Sequence, residues 1–283
     1  MWKQGLFFFI ILLLGSGCLE IKNSVFGTET RLLRNWNAKF KVPSYNLAGG
    51  DIVRFAVFSD SHQNYSDLYE TILTINQTGV GFSVFTGDFS DIGTRDEYEI
   101  FLSFMEDLTA PSWVVPGNHD LATLKNRLFT KIFGLENHSL VTSFGKLIFW
   151  NSNALEMRPE TVDLDFLDAE IASADPSAPV FIFQHQDPYN ALTYLPSEMT
   201  RYTNLVNSHP QVFIFHGHLH QFFRTQVGTT GEAFQVSRVE GVKWAYAEID
   251  NTQIRVFYCK KKDCEKVYEN AVIFSPMANR PPR

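Results

Sequence analysis

Residues 52–62 read Ile-Val-Arg-Phe-Ala-Val-Phe-Ser-Asp-Ser-His. The first seven residues form a short, nearly continuous apolar run, which is typical of a β-strand buried on both faces. Asp60 and His62 follow directly after the point where that strand would end. The stretch therefore predicts a buried strand that carries two potential metal ligands at its carboxyl end.

The same arrangement recurs four times further along the chain. Four apolar runs have the length and composition of a buried strand, and they are residues 82–85, 113–115, 180–183 and 212–215. Segments with helical periodicity lie between them, including one that would begin with Ser66 or Asp67 as its cap and one over residues 121–133. This alternation predicts an α/β domain with strands in its centre.

Polar motifs follow each of these later runs. They are Gly87-Asp88, Gly117-Asn118-His119-Asp120, His185 and Gly217-His218-Leu219-His220. Because the carboxyl ends of strands in α/β sheets converge on one crevice, the five loops are predicted to face a common site. Mixed oxygen and nitrogen ligands suit manganese, iron or zinc better than calcium.

The chain resembles the calcineurin-like metallophosphoesterase family. The family motifs Asp-x-His, Gly-Asp, Gly-Asn-His-Asp/Glu, an isolated His and Gly-His-x-His all occur here in order, from Asp60 to His220. The resemblance implies a four-layer α/β/β/α sandwich of two mixed sheets flanked by helices. It also implies metal-dependent hydrolysis of phosphate mono- or diesters, two divalent metal ions (Mn, Fe or Zn) and a small phosphoester substrate.

The resemblance also implies a role for each matching residue. One metal ion would be held by Asp60, His62 and His220, and the second by Asn118, His185 and His218. Asp88 would bridge both ions, and a hydroxide generated between them would attack phosphorus in line with the leaving group.

His119 would protonate the leaving alkoxide as the general acid, a role that suits an imidazole with a pKa near neutrality. Asp91 is the candidate partner that orients His119, because protein phosphatases of this family use the second Asp of Gly-Asp-x-x-Asp in that way. The alternative for Asp91 is a solvated loop carboxylate or a helix cap. Asp120 is interpreted as a supporting partner or as a cap for the following helix.

Two departures from better-defined subfamilies narrow the resemblance. Protein phosphatases continue the Gly-Asp-x-x-Asp run with Arg-Gly, whereas this chain has Ile92-Gly93. Purple acid phosphatases place a Tyr ligand at the position of Asp91. The chain is thus closer to small phosphodiesterase-like and exported members, and its substrate choice is expected to lie in loops such as residues 186–197.

A second function class is a phosphoester-binding or adhesion protein that retains a hydrolase scaffold without turnover. Its sign would be a lost ligand or a lost His119, and the chain has lost neither. The formal net charge of −7 provides no basic surface, so nucleic acid is not expected as an obligate partner. Most of the 26 Phe residues are expected to fill a core.

The N-terminus has the pattern of an export signal. Lys3 precedes an apolar run over residues 6–14, which is shorter than the roughly 20 residues that span a bilayer, and Gly15-Ser16-Gly17-Cys18 follows. We interpret residues 1–17 as a signal peptide and Cys18 as a lipidation site, as in bacterial-type lipoproteins. The protein would then be exported and anchored on the extracytoplasmic side of the membrane, the alternative being a plain secretion signal.

Residues 18–50 are interpreted as a tether that leads into the first strand, and residues 51–275 as the metallophosphoesterase domain with a C-terminal hairpin. That hairpin carries Cys259 and Cys264 on either side of a polar loop. An exported protein permits oxidation, so we predict a disulfide between them. Two free thiols are the alternative, and zinc is disfavoured because no second pair of ligands lies nearby in the sequence.

Overall fold

A computed structural model of the chain describes residues 24–28, 35–124, 126–153, 162–187 and 194–272. The predicted signal peptide, Cys18 and residues 273–275 lie outside this part of the chain. Within the described residues, no helix combines the length and the apolar character needed to cross a membrane.

Twelve strands are found in the described residues. In chain order they are β1 (Val53–Phe58), β2 (Phe82–Phe85), β3 (Ser112–Val114), β4 (His138–Thr142), β5 (Gly145–Phe149), β6 (Val180–Phe183), β7 (Val212–His216), β8 (Phe223–Val227), β9 (Gly231–Gln235), β10 (Lys243–Ile249), β11 (Gln253–Lys260) and β12 (Asp263–Ala271). They form two six-stranded sheets with the orders β12-β11-β10-β1-β2-β3 and β4-β5-β6-β7-β9-β8. Both sheets are mixed, because parallel pairs at β1-β2-β3 and β5-β6-β7-β9 continue into antiparallel edges.

Six α-helices flank the sheets in the described part of the chain. They are α1 (Tyr65–Asn76), α2 (Arg95–Met105), α3 (Asn118–Leu121), α4 (Asn126–Ile132), α5 (Leu164–Ala172) and α6 (Pro196–Asn207). Two short 3₁₀ turns, Trp36–Lys39 and Leu47–Gly49, precede β1.

Three apolar clusters separate four layers. The central cluster lies between the two sheets, where Phe55 of β1 meets Phe181, Phe183 and Phe215 with ring centroids 5.4–5.7 Å apart. A second cluster joins the first sheet to α1, α2 and α4, and a third joins the second sheet to α5 and α6. The predicted four-layer α/β/β/α sandwich is therefore confirmed, and the buried Phe residues occupy its core.

Helix boundaries differ from the predictions at two places. The cap of α1 is Asn64, whose side chain accepts a hydrogen bond from the Asp67 backbone N–H at 3.3 Å, so neither Ser66 nor Asp67 is the cap. The helix predicted over residues 121–133 is divided into α3 and α4, with a turn over residues 122–124 between them.

Residues 35–50, which belong to the predicted tether and entry segment, pack against the domain. The Trp36 side chain is buried, and its indole N–H donates to the Ser112 carbonyl at 3.0 Å. Asn37 accepts from the Val114 N–H and donates to the Val114 carbonyl, both at 2.9 Å. This segment thus covers the edge of the first sheet at β3.

At the C-terminal end, β11 and β12 form an antiparallel hairpin in which Cys259 and Cys264 face each other in register. The structure joins them in a disulfide, with Cα atoms 4.1 Å apart. Cys259 is buried against the helical side of the first sheet, whereas Cys264 is exposed.

Candidate metal centre

The loops that follow β1, β2, β3, β6 and β7 meet at one edge of the sandwich. They bring together the seven side chains predicted as ligands: Asp60, His62, Asp88, Asn118, His185, His218 and His220. Three of these loops belong to the first sheet and two to the second. The site therefore lies across the junction of the two sheets.

The backbone of these loops is strained. Five of the seven residues have positive φ angles between 46° and 81°, namely Asp60, His62, Asp88, His218 and His220. Residues other than glycine rarely adopt positive φ angles, and those that do are concentrated at functional sites. The surrounding structure thus holds these side chains in orientations that the free chain would avoid.

Two motif glycines allow the loops to approach each other. A Cβ atom on Gly117 would overlap the Asp88 carboxylate, and one on Gly217 would overlap the Ser59 hydroxyl and the Asp60 carboxylate. Because glycine has no Cβ atom, it is the residue that lets the backbone approach a carboxylate this closely.

One group of potential ligands consists of Asp60, His62 and His220, with one ligand atom from each lying within 4.8 Å of the others. The Nε2 atoms of His62 and His220 are 3.3 Å apart, and the His220 Nε2 lies 3.5 Å from the Asp60 Oδ1. The Asp60 carboxylate is buried and accepts the His218 backbone N–H at 3.1–3.2 Å.

A second group consists of Asp88, His185 and His218, again with ligand atoms within 4.8 Å of one another. The His185 Nε2 lies 3.1 Å from the Asp88 Oδ2 and 3.1 Å from the Asn118 Oδ1. Asn118 also contacts the His218 Nδ1 at 3.2 Å, so its amide oxygen belongs to the same group.

The hydrogen bonds made by the His185 and His62 Nδ1 atoms determine which way the Nε2 lone pairs of these two rings point. The His185 Nδ1 lies 2.7 Å from the Thr86 carbonyl and the His62 Nδ1 lies 3.0 Å from the Asp91 carboxylate, so both Nδ1 atoms carry the proton. In the neutral rings, the His185 Nε2 then turns its lone pair toward the Asp88 and Asn118 oxygens, and the His62 Nε2 turns its lone pair toward the His220 Nε2. A divalent cation satisfies such a set, and the donor chemistry therefore fits metal ions.

The electrostatics also favour positive charge in the site. Burial would lower the pKa of His185, but the facing Asp88 carboxylate raises it well above its ordinary value. Burial would raise the pKa of Asp88, but His185 lowers it. Asp60 has a pKa raised to about 7, chiefly by burial and further by the Asp88 charge. Buried carboxylates this close to each other require a compensating cation or a proton.

His119 lies beside the first group, with its ring centroid 5.0 Å from that of His62. The His119 Nδ1 is 2.6 Å from the main-chain carbonyl oxygen of Asp91. The predicted partner residue is therefore present, but the contact is made by its backbone, because the Asp91 carboxylate faces the His62 Nδ1 at 3.0 Å. Asp91 thus orients two imidazoles through two different groups.

The Asp120 side chain supports the ligand loops through hydrogen bonds, which is one of the two roles inferred for it from the sequence. Its buried carboxylate accepts the backbone N–H groups of Asp88, Gly117 and Ser90 at 2.8–3.0 Å, and the Ser90 hydroxyl at 2.8 Å. It thereby joins the Gly-Asp loop to the Gly-Asn-His-Asp loop.

The sequence interpretation missed the residues that position the ligands. The Thr86 carbonyl orients His185, and the buried Ser152 hydroxyl accepts the His185 backbone N–H at 3.1 Å. Glu97 contacts the Asp91 loop, and its pattern Thr94-x-x-Glu97 is a recognisable capping box. Ile92 is half-exposed near the site, and residues 188–193 of the predicted substrate loop lie outside the described residues.

Comparison with known proteins gives one family. A profile of calcineurin-like phosphoesterases matches residues 53–222, which is more than half of the chain. A 3′,5′-cyclic-nucleotide phosphodiesterase from Nostoc sp. is 27% identical over 151 residues, covering 50% of this chain and 56% of the relative. A probable glycerophosphodiester phosphodiesterase from Arcobacter nitrofigilis is 38% identical over 74 residues, covering 25% of this chain and 27% of the relative. The chain thus matches about half, or less, of the length of these curated relatives.

Solved structures support the fold. A dimetal phosphatase from Danio rerio has a TM-score of 0.60 at 14% identity, covering 79% of this chain and 99% of that one. A purple acid phosphatase from yellow lupin has a TM-score of 0.63 at 13% identity, covering 84% and 55% of the two chains. From the motifs, the four-layer fold and the family match together, the chain belongs to the calcineurin-like phosphoesterase family.

Proposed function

We propose that this protein hydrolyses phosphodiesters with the help of two divalent metal ions. The single observation that carries the proposal is the pair of ligand groups, one of Asp60, His62 and His220 and the other of Asp88, His185 and His218, with the His119 backbone N–H bonded to Asp88. The curated relatives named above, both described as phosphodiesterases, support a diester in preference to a monoester.

Each metal ion would take ligands from both sheets. Asp60, His62 and His220 would hold one ion, Asn118, His185 and His218 the other, and Asp88 both. When bound, two such ions lower the pKa of a water molecule and neutralise charge on the phosphoryl oxygens. The mixed carboxylate, amide and imidazole donors suit manganese, iron or zinc.

His119 would supply the proton for the leaving group. Its Nδ1–H donates to the Asp91 carbonyl, so the Nε2 is the atom that carries the transferable proton. Asp88 accepts the His119 backbone N–H at 3.0 Å, which fixes this residue relative to the bridging carboxylate. General acid help of this kind contributes about 10²–10⁴-fold, and most of it is felt by substrates with poor leaving groups.

The test is an assay of purified protein loaded with manganese, iron or zinc against aryl phosphodiesters and phosphomonoesters, with bound metal measured by elemental analysis. We expect turnover of the diesters, lost in Asp88→Asn along with the metal. Two bound ions without turnover of either substrate class contradict the proposal. Tight phosphoester binding in that case would instead favour the binding or adhesion protein.

We also propose that the protein is exported and anchored through a lipid on Cys18. The support is the apolar run over residues 6–14 followed by Gly15-Ser16-Gly17-Cys18. An extracytoplasmic location fits the disulfide between Cys259 and Cys264, because such bonds persist in oxidising compartments.

A further inference from the structure

The Glu97 side chain lies in the first turn of α2 and is 6% exposed. Its Oε2 closes a capping box, since it accepts the Thr94 N–H at 2.8 Å and the Thr94 hydroxyl at 2.7 Å. A capping box needs only these contacts and the reciprocal bond from the Glu97 N–H to Thr94.

The other carboxylate oxygen reaches outside the helix. The Glu97 Oε1 accepts the backbone N–H of Asp91 at 2.8 Å, that of Ile92 at 3.4 Å and the side-chain amide of Gln63 at 3.1 Å. Burial would raise the pKa of Glu97, but these donated hydrogen bonds and those from Thr94 lower it, so the carboxylate is ionised at neutral pH. One charged group therefore holds the two loops that follow β1 and β2.

The peptide group between Asp91 and Ile92 connects Glu97 to the site. In a trans peptide the N–H and the C=O point in opposite directions. The Ile92 N–H of this peptide points to Glu97, whereas its carbonyl, that of Asp91, accepts the His119 Nδ1–H at 2.6 Å. Fixing one side of the peptide thus fixes the acceptor on the other side, and hydrogen bonds in series also strengthen each other.

We propose that Glu97 is a positioning residue for His119, acting through the Asp91–Ile92 peptide. The proposal rests on the function proposed above, in which His119 is the general acid. The same contact places the Asp91 carboxylate at the His62 Nδ1, so Glu97 orients one metal ligand and the proton donor together. A purely structural role for Glu97, as the member of the capping box that lies inside α2, makes a different prediction for the leaving-group dependence.

The experiment compares wild type with Glu97→Ala, Glu97→Gln and the matched control Thr94→Val. Valine at position 94 removes the hydroxyl contacts of the cap, but it leaves the Asp91 N–H bonded to Glu97. The metal content and the unfolding midpoint of each protein are measured first. Each protein is then assayed on phosphodiesters whose leaving groups range from nitrophenol through phenol to an alkyl alcohol.

We expect Glu97→Ala to slow the alkyl substrate by about ten- to a hundred-fold and the nitrophenyl substrate by less than about three-fold. Thr94→Val should lower the unfolding midpoint and leave the leaving-group dependence unchanged. Glu97→Gln keeps one oxygen that can accept from the Asp91 loop. Its rate on the alkyl substrate should therefore lie between the rates of wild type and Glu97→Ala. If Glu97→Ala does not fold, Glu97→Gln carries the same comparison.

Equal slowing of all leaving groups by the Glu97 variants, as a cap alone predicts, would overturn the proposal. A second readout separates this failure from a failure of the proposed function. In nitrogen-15 spectra of zinc-loaded protein, the proton on the His119 Nδ1 should shift or exchange faster in the Glu97 variants, but not in Thr94→Val. If the wild type has no turnover, the hydrolase assignment fails. Independently of turnover, an unchanged His119 signal in the Glu97 variants overturns the positioning role.

Discussion

Protonation of His138 should destabilise the fold in mild acid. The His138 ring stacks on Phe149 of the neighbouring strand, with centroids 4.6 Å apart and planes 9° apart. Its Nδ1 contacts the Leu135 carbonyl at 3.1 Å, and its Nε2 is buried with no hydrogen-bond partner among the described residues. Burial lowers the pKa of His138 to about 4, with the Leu135 carbonyl acting in the opposite direction.

The sign and size of the effect follow from this pKa. The unfolded chain binds a proton below about pH 6.5, whereas the folded protein does so only below about pH 4, so stability is lost as the pH falls between these values. At about 1.4 kcal/mol per pH unit the full loss is about 3 kcal/mol, and about 2 kcal/mol of it is reached near pH 5.

The assay is urea unfolding of metal-free wild type and His138→Phe, followed by tryptophan fluorescence. Phenylalanine retains the stack on Phe149 and does not titrate. Between about pH 7.5 and pH 5, wild type should lose about 2 kcal/mol more than the variant. Parallel pH profiles, within about 0.5 kcal/mol, would refute the reasoning.

Three other perturbations address the site, the hairpin and the anchor. Asp88→Asn should lose bound metal by elemental analysis and at least about a thousand-fold in kcat/KM, and retained metal with full activity would exclude a bridging role. Reducing the disulfide between Cys259 and Cys264, which are five residues apart, should cost about 2 kcal/mol in urea unfolding and leave turnover unchanged. Cys18→Ser should move the protein from the membrane fraction to the soluble fraction, and a membrane-bound variant would contradict the lipid anchor.

The secondary structure could be predicted best from the sequence where the local pattern and the global fold agree. The run before Asp60 is a buried strand, and its composition indicates this without tertiary information. The two edge strands of the second sheet, β4 and β8, were harder to predict, because they are partly exposed and carry mixed residues such as Thr142 and Arg224. Their pairing depends on neighbouring strands and not on their own periodicity.

Contacts made by the backbone were also beyond sequence reasoning. Asp91 was recognised from its motif, but the motif does not tell whether its carboxylate or its carbonyl faces His119. That choice depends on the loop conformation, which Glu97 sets from a helix further along the chain. The cap at Asn64 was misplaced for a similar reason, because Ser66 and Asp67 also have the side chains of good caps.

The placement of the ligands on both sheets has a mechanical consequence. Asp60 and His62 follow a strand of one sheet and His220 follows a strand of the other, and Asn118 faces His185 and His218 in the same way. A cation bound by either group therefore ties the two halves of the sandwich together at one edge, much as a cross-link would. Metal loading and resistance of the whole fold to heat or proteases should then rise together.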